Sequence, residues 1–147
     1  MGTRSVAGMT LELIPLCTVA VTLRDPIAVG DGPSGLRLIY EVAEATVTGE
    51  RIKGRMLGQA SADWLMITGT TASLDVRATF ETDDGAIILA QYAGRSDLSQ
   101  GPGAAPIYVA PRFETGDERY AWLNSIQAAG KGVLDGSQLT YEWYELR

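Results

Sequence analysis

An alternating stretch from Ser73 to Gly94 constrains the fold more than any other part of the chain. Two runs of alternating residues flank the segment Thr82-Asp83-Asp84-Gly85, and an Asp-Gly pair at such a junction supplies the positive φ angles of a tight hairpin. Successive side chains of a strand point to opposite faces. The first run therefore has an apolar face and a charged face, which carries Asp75 and Arg77. The stretch predicts an antiparallel hairpin whose charged face is either wet surface or the wall of a binding site.

Further alternating runs predict that the rest of the chain is also all-β. Strands are expected over residues 11–24, 36–47, 63–68, 107–109, 125–134 and 138–146, with a short one ending near residue 56. Thr115 to Glu118 fits a capping box, so a short helix is expected over residues 117–124. Serial hairpins favour an up-and-down barrel or a sandwich. Because almost no strand pair needs a long crossover, we predict a small closed antiparallel up-and-down β-barrel of about eight to ten strands with one short helix.

The domain organisation predicted from this pattern is simple. The 147 residues are enough for one domain with a substantial core, and neither a repeat nor an internal boundary is visible. We expect residues 1–9 to form a flexible leader and residues 10–147 to form a single β-barrel domain.

Composition excludes several classes of function. The net charge is −6 and no basic run occurs, which argues against a nucleic-acid surface. The chain has no histidine and one cysteine, Cys17, so His-based triads, the usual zinc sites and an intrachain disulfide are excluded. No dinucleotide or phosphate-loop pattern is present, and we predict no cofactor and no metal.

One apolar run, Leu11 to Leu23, needs to be tested as a targeting or membrane segment. Glu12 and Pro15 interrupt it, and thirteen residues are too few to span a bilayer. We therefore expect a cytoplasmic protein that does not associate with a membrane.

A set of short motifs occurs in a characteristic order along the chain. They are Gly32-Pro33, Gly35, Arg37, Gly54, Asp63-Trp64, Asp75, Arg77, Thr82-Asp83-Asp84-Gly85, Gly94, Pro111-Arg112-Phe113-Glu114-Thr115 and Tyr120-Ala121-Trp122-Leu123-Asn124. With this set the chain resembles, over roughly residues 13–144, the uncharacterised bacterial and fungal family called domain of unknown function 3237, the UPF0311-type β-barrel proteins.

The resemblance implies a small closed antiparallel barrel, often a homo-oligomer (a dimer or tetramer), with a pocket at one end. It also implies that some members close rings without redox chemistry, by adding a hydroxyl across a conjugated alkene. Two positions depart from the family pattern. Tyr108 or Val109 stands where an Arg is expected, and Tyr92 stands where an Asn commonly precedes Gly94. If these positions line the pocket, the substrate or chemistry of this chain differs.

Asp63 is the first candidate for a catalytic group. Beside Trp64, it could be a carboxylate held in an aromatic wall, where desolvation raises its pKa so that it exchanges protons near neutral pH. The alternative is a turn Asp that bonds local amides. We predict Asp63 as the catalytic acid–base group and Trp64 as part of the wall that binds the substrate.

Three further charged residues are candidates for the same site. Asp75 and Arg77 are either a solvated pair of little energetic value or part of the barrel interior. In the interior, Arg77 would orient a substrate oxygen and Asp75 would fix its guanidinium. We predict the interior placement, with Arg77 and Arg37 as catalytic residues that steady oxyanion charge and with Asp75 as a substrate-binding residue.

Aromatic and amide side chains complete the predicted substrate-binding set. Each has a structural alternative, namely core packing for the aromatic residues and a helix cap for the amide. The set comprises Tyr92, Tyr108, Tyr120, Trp122 and Asn124.

Three hypotheses follow for the function. The first is a cofactor-free enzyme that acts by proton transfer on a small hydrophobic, oxygenated molecule, through oxa-Michael cyclisation, hydration or isomerisation. The second is a non-catalytic barrel that binds a small molecule, and the third is a homo-oligomeric structural module. An enzyme needs Asp63 and Arg77 to converge in one partly desolvated cavity, which makes their placement the decisive observation.

Overall fold

The computed structural model describes residues 6–147, and in them the chain forms eleven strands and one short helix. The strands are β1 (Leu13–Leu23), β2 (Ile27–Gly32), β3 (Gly35–Thr48), β4 (Gly54–Met56), β5 (Ala62–Thr68), β6 (Thr71–Thr82), β7 (Ile87–Asp97), β8 (Ile107–Val109), β9 (Arg112–Glu114), β10 (Ala128–Asp135) and β11 (Gln138–Leu146). A 3₁₀ helix covers Glu118–Ser125.

Eight of these strands close into an antiparallel barrel. β1, β3, β5, β6, β7, β8, β10 and β11 pair with one another in chain order, and β11 returns to pair with β1. The up-and-down connectivity and the closed barrel predicted from the sequence are therefore confirmed. Three short strands lie outside this circuit: β2 pairs with β3, β4 joins β3 to β6, and β9 pairs with β7.

The hairpin of β6 and β7 is the longest continuous pairing and confirms the prediction for Ser73–Gly94. Its register runs without interruption from Thr71 opposite Asp97 to Glu81 opposite Ile87. Gly85 alone in the turn has a positive φ, of 90°. The Thr82 hydroxyl accepts a hydrogen bond from the Ala86 amide at 2.8 Å, so a side chain reinforces the turn.

The charged face of β6 points away from the barrel interior. Leu74, Val76 and Phe80 are buried, whereas Asp75 and Arg77 are exposed. The prediction that Asp75 and Arg77 line the interior is therefore wrong. Placing the apolar face inward gains hydrophobic burial and avoids the desolvation cost of a buried ion pair. The ion pairs found within residues 6–147 also do not include one between Asp75 and Arg77.

The 3₁₀ helix covers one end of the barrel. Its N-cap is Asp117, whose side chain accepts a hydrogen bond from the Arg119 amide at 3.0 Å. The predicted capping box placed the cap at Thr115, two residues too early. Leu123 inserts its fully buried side chain into the barrel core, and the helix thereby closes this end.

Glycines on β10 make room for large aromatic rings on β11. A Cβ at Gly132 would lie 2.6 Å from the Tyr141 ring, and a Cβ at Gly130 would collide with the indole of Trp143. Both rings are almost completely buried. The glycines therefore let the two rings pack directly against the backbone of β10 inside the barrel.

The loops at the end opposite the helix leave the barrel open. Residues 24–26, 98–106 and 136–137 connect β1 to β2, β7 to β8 and β10 to β11 at this end, and all three contribute to the rim of a cavity.

The predicted leader falls only partly within the described residues. Residues 1–5 lie outside them, and residues 6–9 are exposed. The helical structure in residues 6–147 includes no segment of the length and apolar character needed to cross a membrane.

Candidate functional site

A cavity of about 430 Å³ occupies the open half of the barrel. Its wall is mainly aliphatic, with side chains from all eight strands of the barrel. Four residues with polar groups that can titrate project into it from the strands: Tyr40, Asp63, Tyr92 and Tyr141. This combination of an apolar wall with a few converging polar groups is typical of a small-molecule site.

Strand register brings these polar side chains together. Tyr40 on β3 lies opposite Asp63 on β5, Asp63 lies opposite Val76 on β6, and Val76 lies opposite Tyr92 on β7. The four residues thus form one row across the inner face. Tyr141 on β11 meets the end of this row, with its ring edge-on to the Tyr92 ring at a centroid distance of 5.8 Å.

A local opening between β5 and β6 holds the Asp63 carboxylate. The ladder pairs Asp63 with Val76 and resumes at Met66, so it is interrupted at Trp64 and Leu65. Within the gap, the Asp75 amide donates to Asp63 Oδ1 at 3.0 Å. On the same segment, Arg37 Nη1 donates to the Trp64 carbonyl oxygen at 2.7 Å. Side chains therefore replace ladder bonds here and fix the direction of the carboxylate.

The environment of Asp63 disfavours its charged form. Burial raises the pKa of Asp63 from 3.8 to about 6, while the hydrogen bond from the Asp75 amide and the charge of Arg37 act in the opposite direction. Such a carboxylate is mainly ionised at neutral pH, yet it can hold a proton within the physiological range. This is the property that a general acid–base group needs.

The three phenols are held in the protonated form. Burial raises the pKa of each of Tyr40, Tyr92 and Tyr141, and the nearby charge of Asp63 raises it further. Protonated phenols donate hydrogen bonds and can stabilise negative charge that develops on a bound oxygen. The cavity thus combines a proton acceptor with several hydrogen-bond donors.

Of the predicted site residues, the structure brings Asp63 and Tyr92 into the cavity. Trp64 is 37% exposed and lies on the outer face, because neighbours on a strand alternate and Asp63 faces inward. Tyr108, 55% exposed, lies outside between the buried Ile107 and Val109 for the same reason. The prediction that Trp64 and Tyr108 share a site with Asp63 is therefore wrong.

The predicted arginines also lie outside the cavity wall. Arg77 is exposed on the outer face of β6. Arg37 is half-buried on the outer side of β3, where its hydrogen bond to the Trp64 carbonyl supports the segment that carries Asp63. Arg37 therefore contacts the backbone behind the carboxylate rather than a ligand.

The candidates from the 3₁₀ helix lie at the opposite, closed end. Tyr120 donates to the Asp84 carboxylate at 2.9 Å, and the Asn124 amide exchanges hydrogen bonds with the backbone of Thr115. Trp122 packs under the Arg51 guanidinium, 4.4 Å from the ring centroid. These contacts give the three helix residues roles in joining the helix to the barrel.

Two residues of the cavity, Tyr40 and Tyr141, were missed as candidates from the sequence. Their signal was present, because alternation assigns Tyr40 to the face of Leu38 and Val42, and Tyr141 to that of Trp143. Alternation did not indicate which of many inward residues would reach the open half. Among residues 6–147, no three His, Cys, Asp or Glu side chains are grouped as a metal site would require.

Comparison with known proteins agrees with this architecture. The family model described as protein of unknown function (DUF3237) matches residues 11–146. The chain belongs to this family. The resemblance drawn from the ordered motifs is thus confirmed.

Individual relatives extend the similarity over most of the chain. A UPF0311 protein from Rhodopseudomonas palustris strain TIE-1 is 31% identical over 126 residues, which cover 78% of this chain and 82% of the relative. The solved structure of a beta-barrel like protein from Acinetobacter baumannii is 31% identical, with a TM-score of 0.85 and coverage of 94% and 97%. An enzyme from Penicillium herquei has a TM-score of 0.78 at 20% identity with both chains fully covered, a likeness that shows the fold alone.

Proposed function

We propose that this DUF3237 barrel is an enzyme that transfers a proton on a small, largely apolar, oxygenated molecule bound in the cavity. The observation that carries the proposal is the Asp63 carboxylate, which lies inside an apolar cavity with a pKa raised to about 6. An ionisable group with this environment in a cleft is a marker of catalysis. The fold is compatible with such a role, since the barrel from Penicillium herquei is an enzyme.

Asp63 can act as the proton acceptor and donor in three types of reaction. In an oxa-Michael ring closure, Asp63 removes the proton from a substrate hydroxyl. The hydroxyl oxygen of the substrate then bonds to the β-carbon of an enone in the same molecule. The electron pair moves to the carbonyl oxygen as an enolate, and Asp63 then returns the proton to the α-carbon. Hydration and isomerisation use the same proton acceptor. Holding the reactants in place supplies much of the rate in a ring closure.

The phenols of the cavity take the oxyanion role that we first predicted for Arg37 and Arg77. Tyr40 and Tyr92 lie in the same inner row as Asp63, so an oxygen of the substrate can approach a donor while its reacting atom approaches the carboxylate. Arg37 is assigned a positioning role through the Trp64 carbonyl.

A non-catalytic binding barrel is the second candidate, and the mainly aliphatic wall favours it. Apolar burial alone can hold a hydrophobic ligand. The two functions differ in whether Asp63 exchanges protons with what is bound.

Two probes test for that exchange. The first is deuterium incorporation at the α-carbon of 1-tetralone in D₂O, and the second is cyclisation of 2′-hydroxychalcone, followed by absorbance. We expect the wild-type protein to accelerate at least one reaction and Asp63→Asn to lower the rate by about 100-fold or more. We also expect kcat/KM to rise with pH through about 6, as Asp63 loses its proton.

The control is Asp31→Asn, which makes the same change on the exposed strand β2 and should leave both rates unaltered. Failure of the wild-type protein to accelerate either reaction, or full activity in Asp63→Asn, would refute proton transfer by Asp63. Small molecules that co-purify with the barrel and are released by Asp63→Asn without being converted by wild type would support the binding function instead.

A further inference from the structure

The Tyr141 hydroxyl is a buried polar group that the fold leaves without a partner. The side chain is 0% exposed and lines the cavity. Its Oη makes no hydrogen bond to any group of residues 6–147. Buried hydroxyls in native proteins are normally paired, because an unpaired one loses its hydrogen bonds to water. This hydroxyl can therefore still take a hydrogen-bond partner from a molecule bound in the cavity.

Packing fixes the position of the Tyr141 ring and thus the direction of its hydroxyl. The ring lies against Gly132, where an added Cβ would be 2.6 Å from ring carbons. The rings of Tyr92 and Trp143 hold it from two other sides, at centroid distances of 5.8 and 6.1 Å. The Tyr92 phenol is near enough to Tyr141 for a side-chain hydrogen-bond interaction to act on the pKa of both groups, but their hydroxyls do not meet with the distance and angles of a normal hydrogen bond. Packing thus holds the hydroxyl in place beside the Tyr92 phenol, without a hydrogen bond of normal geometry.

We propose that Tyr141 Oη is a ligand-binding hydrogen-bond donor and that the ligand is an uncharged molecule with an acceptor oxygen, such as a ketone. The inference rests on the proposed function in placing the ligand in the same cavity. A phenol with a raised pKa stays protonated, so it offers a hydrogen to a carbonyl oxygen.

The charges around the cavity favour an uncharged ligand. Asp63 is the charged residue that lies within, whereas Arg24 and Asp25 are exposed at the rim. Ionised Asp63 would repel a carboxylate ligand. Any ion would also lose its hydration on entering a cavity with a mainly aliphatic wall. A ketone loses less hydration free energy than an ion does on entering the cavity. A hydrogen bond from Tyr141 replaces the one that the ketone oxygen made to water.

A ligand series with one bicyclic skeleton tests the proposal directly. The series is 1-tetralone, 1-tetralol, 1-aminotetralin and tetralin, with dissociation constants measured by calorimetry for wild type and Tyr141→Phe. Phe keeps the ring and its packing and removes only the hydroxyl. We expect Tyr141→Phe to weaken binding of the ketone by about tenfold and to change binding of tetralin by less than twofold.

The matched control is Tyr144→Phe, which removes the same atom from the outward face of the same strand. It should bind the whole series as wild type does. Tyr141→Phe should also unfold at the same or a higher urea concentration than wild type without ligand, since it removes an unpaired hydroxyl. Loss of stability would indicate a structural hydrogen bond instead and would overturn the proposal.

Three binding results would also overturn it: equal ketone affinity in Tyr141→Phe and wild type, preference of wild type for the amine, or no binding of the series by wild type. The two proposals fail in distinguishable ways. Ketone binding that depends on Tyr141 without deuterium exchange refutes only the proton transfer. Exchange that depends on Asp63 but not on Tyr141 refutes only the ligand-binding role of Tyr141.

Discussion

Asp63→Asn should stabilise the fold at neutral pH, although it removes the proposed catalytic group. The pKa of Asp63 is about 6 in the folded protein, against 3.8 for the ordinary group. The folded state therefore holds the proton more tightly than the unfolded state, so stability is greatest below about pH 4 and falls as the pH rises through 6. The shift of roughly two pH units corresponds to about 3 kcal/mol lost above pH 7. Asn does not ionise, and its side-chain oxygen can still accept from the Asp75 amide.

The assay is urea unfolding of wild type and Asp63→Asn at pH 4 and at pH 7.5. At pH 7.5 we expect Asp63→Asn to be more stable by up to about 3 kcal/mol, and at pH 4 we expect the two proteins to be nearly equal. Comparing the pair at each pH cancels the titration of every other carboxylate. The variant Asp31→Asn, exposed on β2, should show no such dependence on pH.

If Asp63→Asn has the same or lower stability than wild type at pH 7.5, ionised Asp63 is not destabilised by burial. The basis for its acid–base role would then be lost. The carboxyl carbon of Asp63 offers a direct measure, since its NMR shift should titrate near pH 6.

Three further predictions concern the scaffold. Gly132→Ala should lower the free energy of unfolding by about 1 to 3 kcal/mol, because the added Cβ would lie 2.6 Å from the Tyr141 ring. Thr82→Val should lower it by about 1 to 3 kcal/mol, because the Ala86 amide loses its acceptor; urea unfolding measures both. Cys17 should not react with a thiol reagent in the native protein and should react once the chain is unfolded, since burial, with a contribution from the Glu142 charge, raises the pKa of its thiol to about 12.

Each of these predictions has a control or an outcome that contradicts it. Val133→Ala, at an exposed position on β10, should leave stability almost unchanged where Gly132→Ala lowers it. Thr71→Val on exposed sheet surface should likewise be neutral where Thr82→Val is not. Rapid labelling of Cys17 in the native state would show that β1 opens readily or that the thiol is less buried than the structure indicates.

Much of the fold could be predicted from the sequence because its determinants are local. Alternation over β6 and β7 and the pairs Asp84-Gly85 and Asp135-Gly136 specify hairpins by backbone geometry alone. Short connections between successive strands then favour up-and-down pairing. The helix cap was predicted two residues too early, because Asp117 caps a 3₁₀ helix whereas the spacing from Thr115 to Glu118 fits a capping box.

The site was predicted only in part, because its members depend on which face of each strand turns inward. Alternation placed Asp75 and Arg77 together on one face of β6 but did not indicate its direction. The predicted interior placement is wrong for both, because the cost of burying charge keeps them outside. With Asp63 inward, Trp64 had to face outward.

The hairpins, the grouping of residues on each strand face, the family and Asp63 as a candidate could all be predicted from the sequence. It determined these because periodicity, turn chemistry and motif order are properties of neighbouring residues. The position of Asp63 near three phenols, in contrast, depends on the three-dimensional fold. Tyr40 and Tyr141 are 101 residues apart in the chain, and they share a cavity because β11 closes the barrel on β1. Barrel closure turns separate strand faces into one interior, and it left the Tyr141 hydroxyl buried without a partner in the part of the chain that is described.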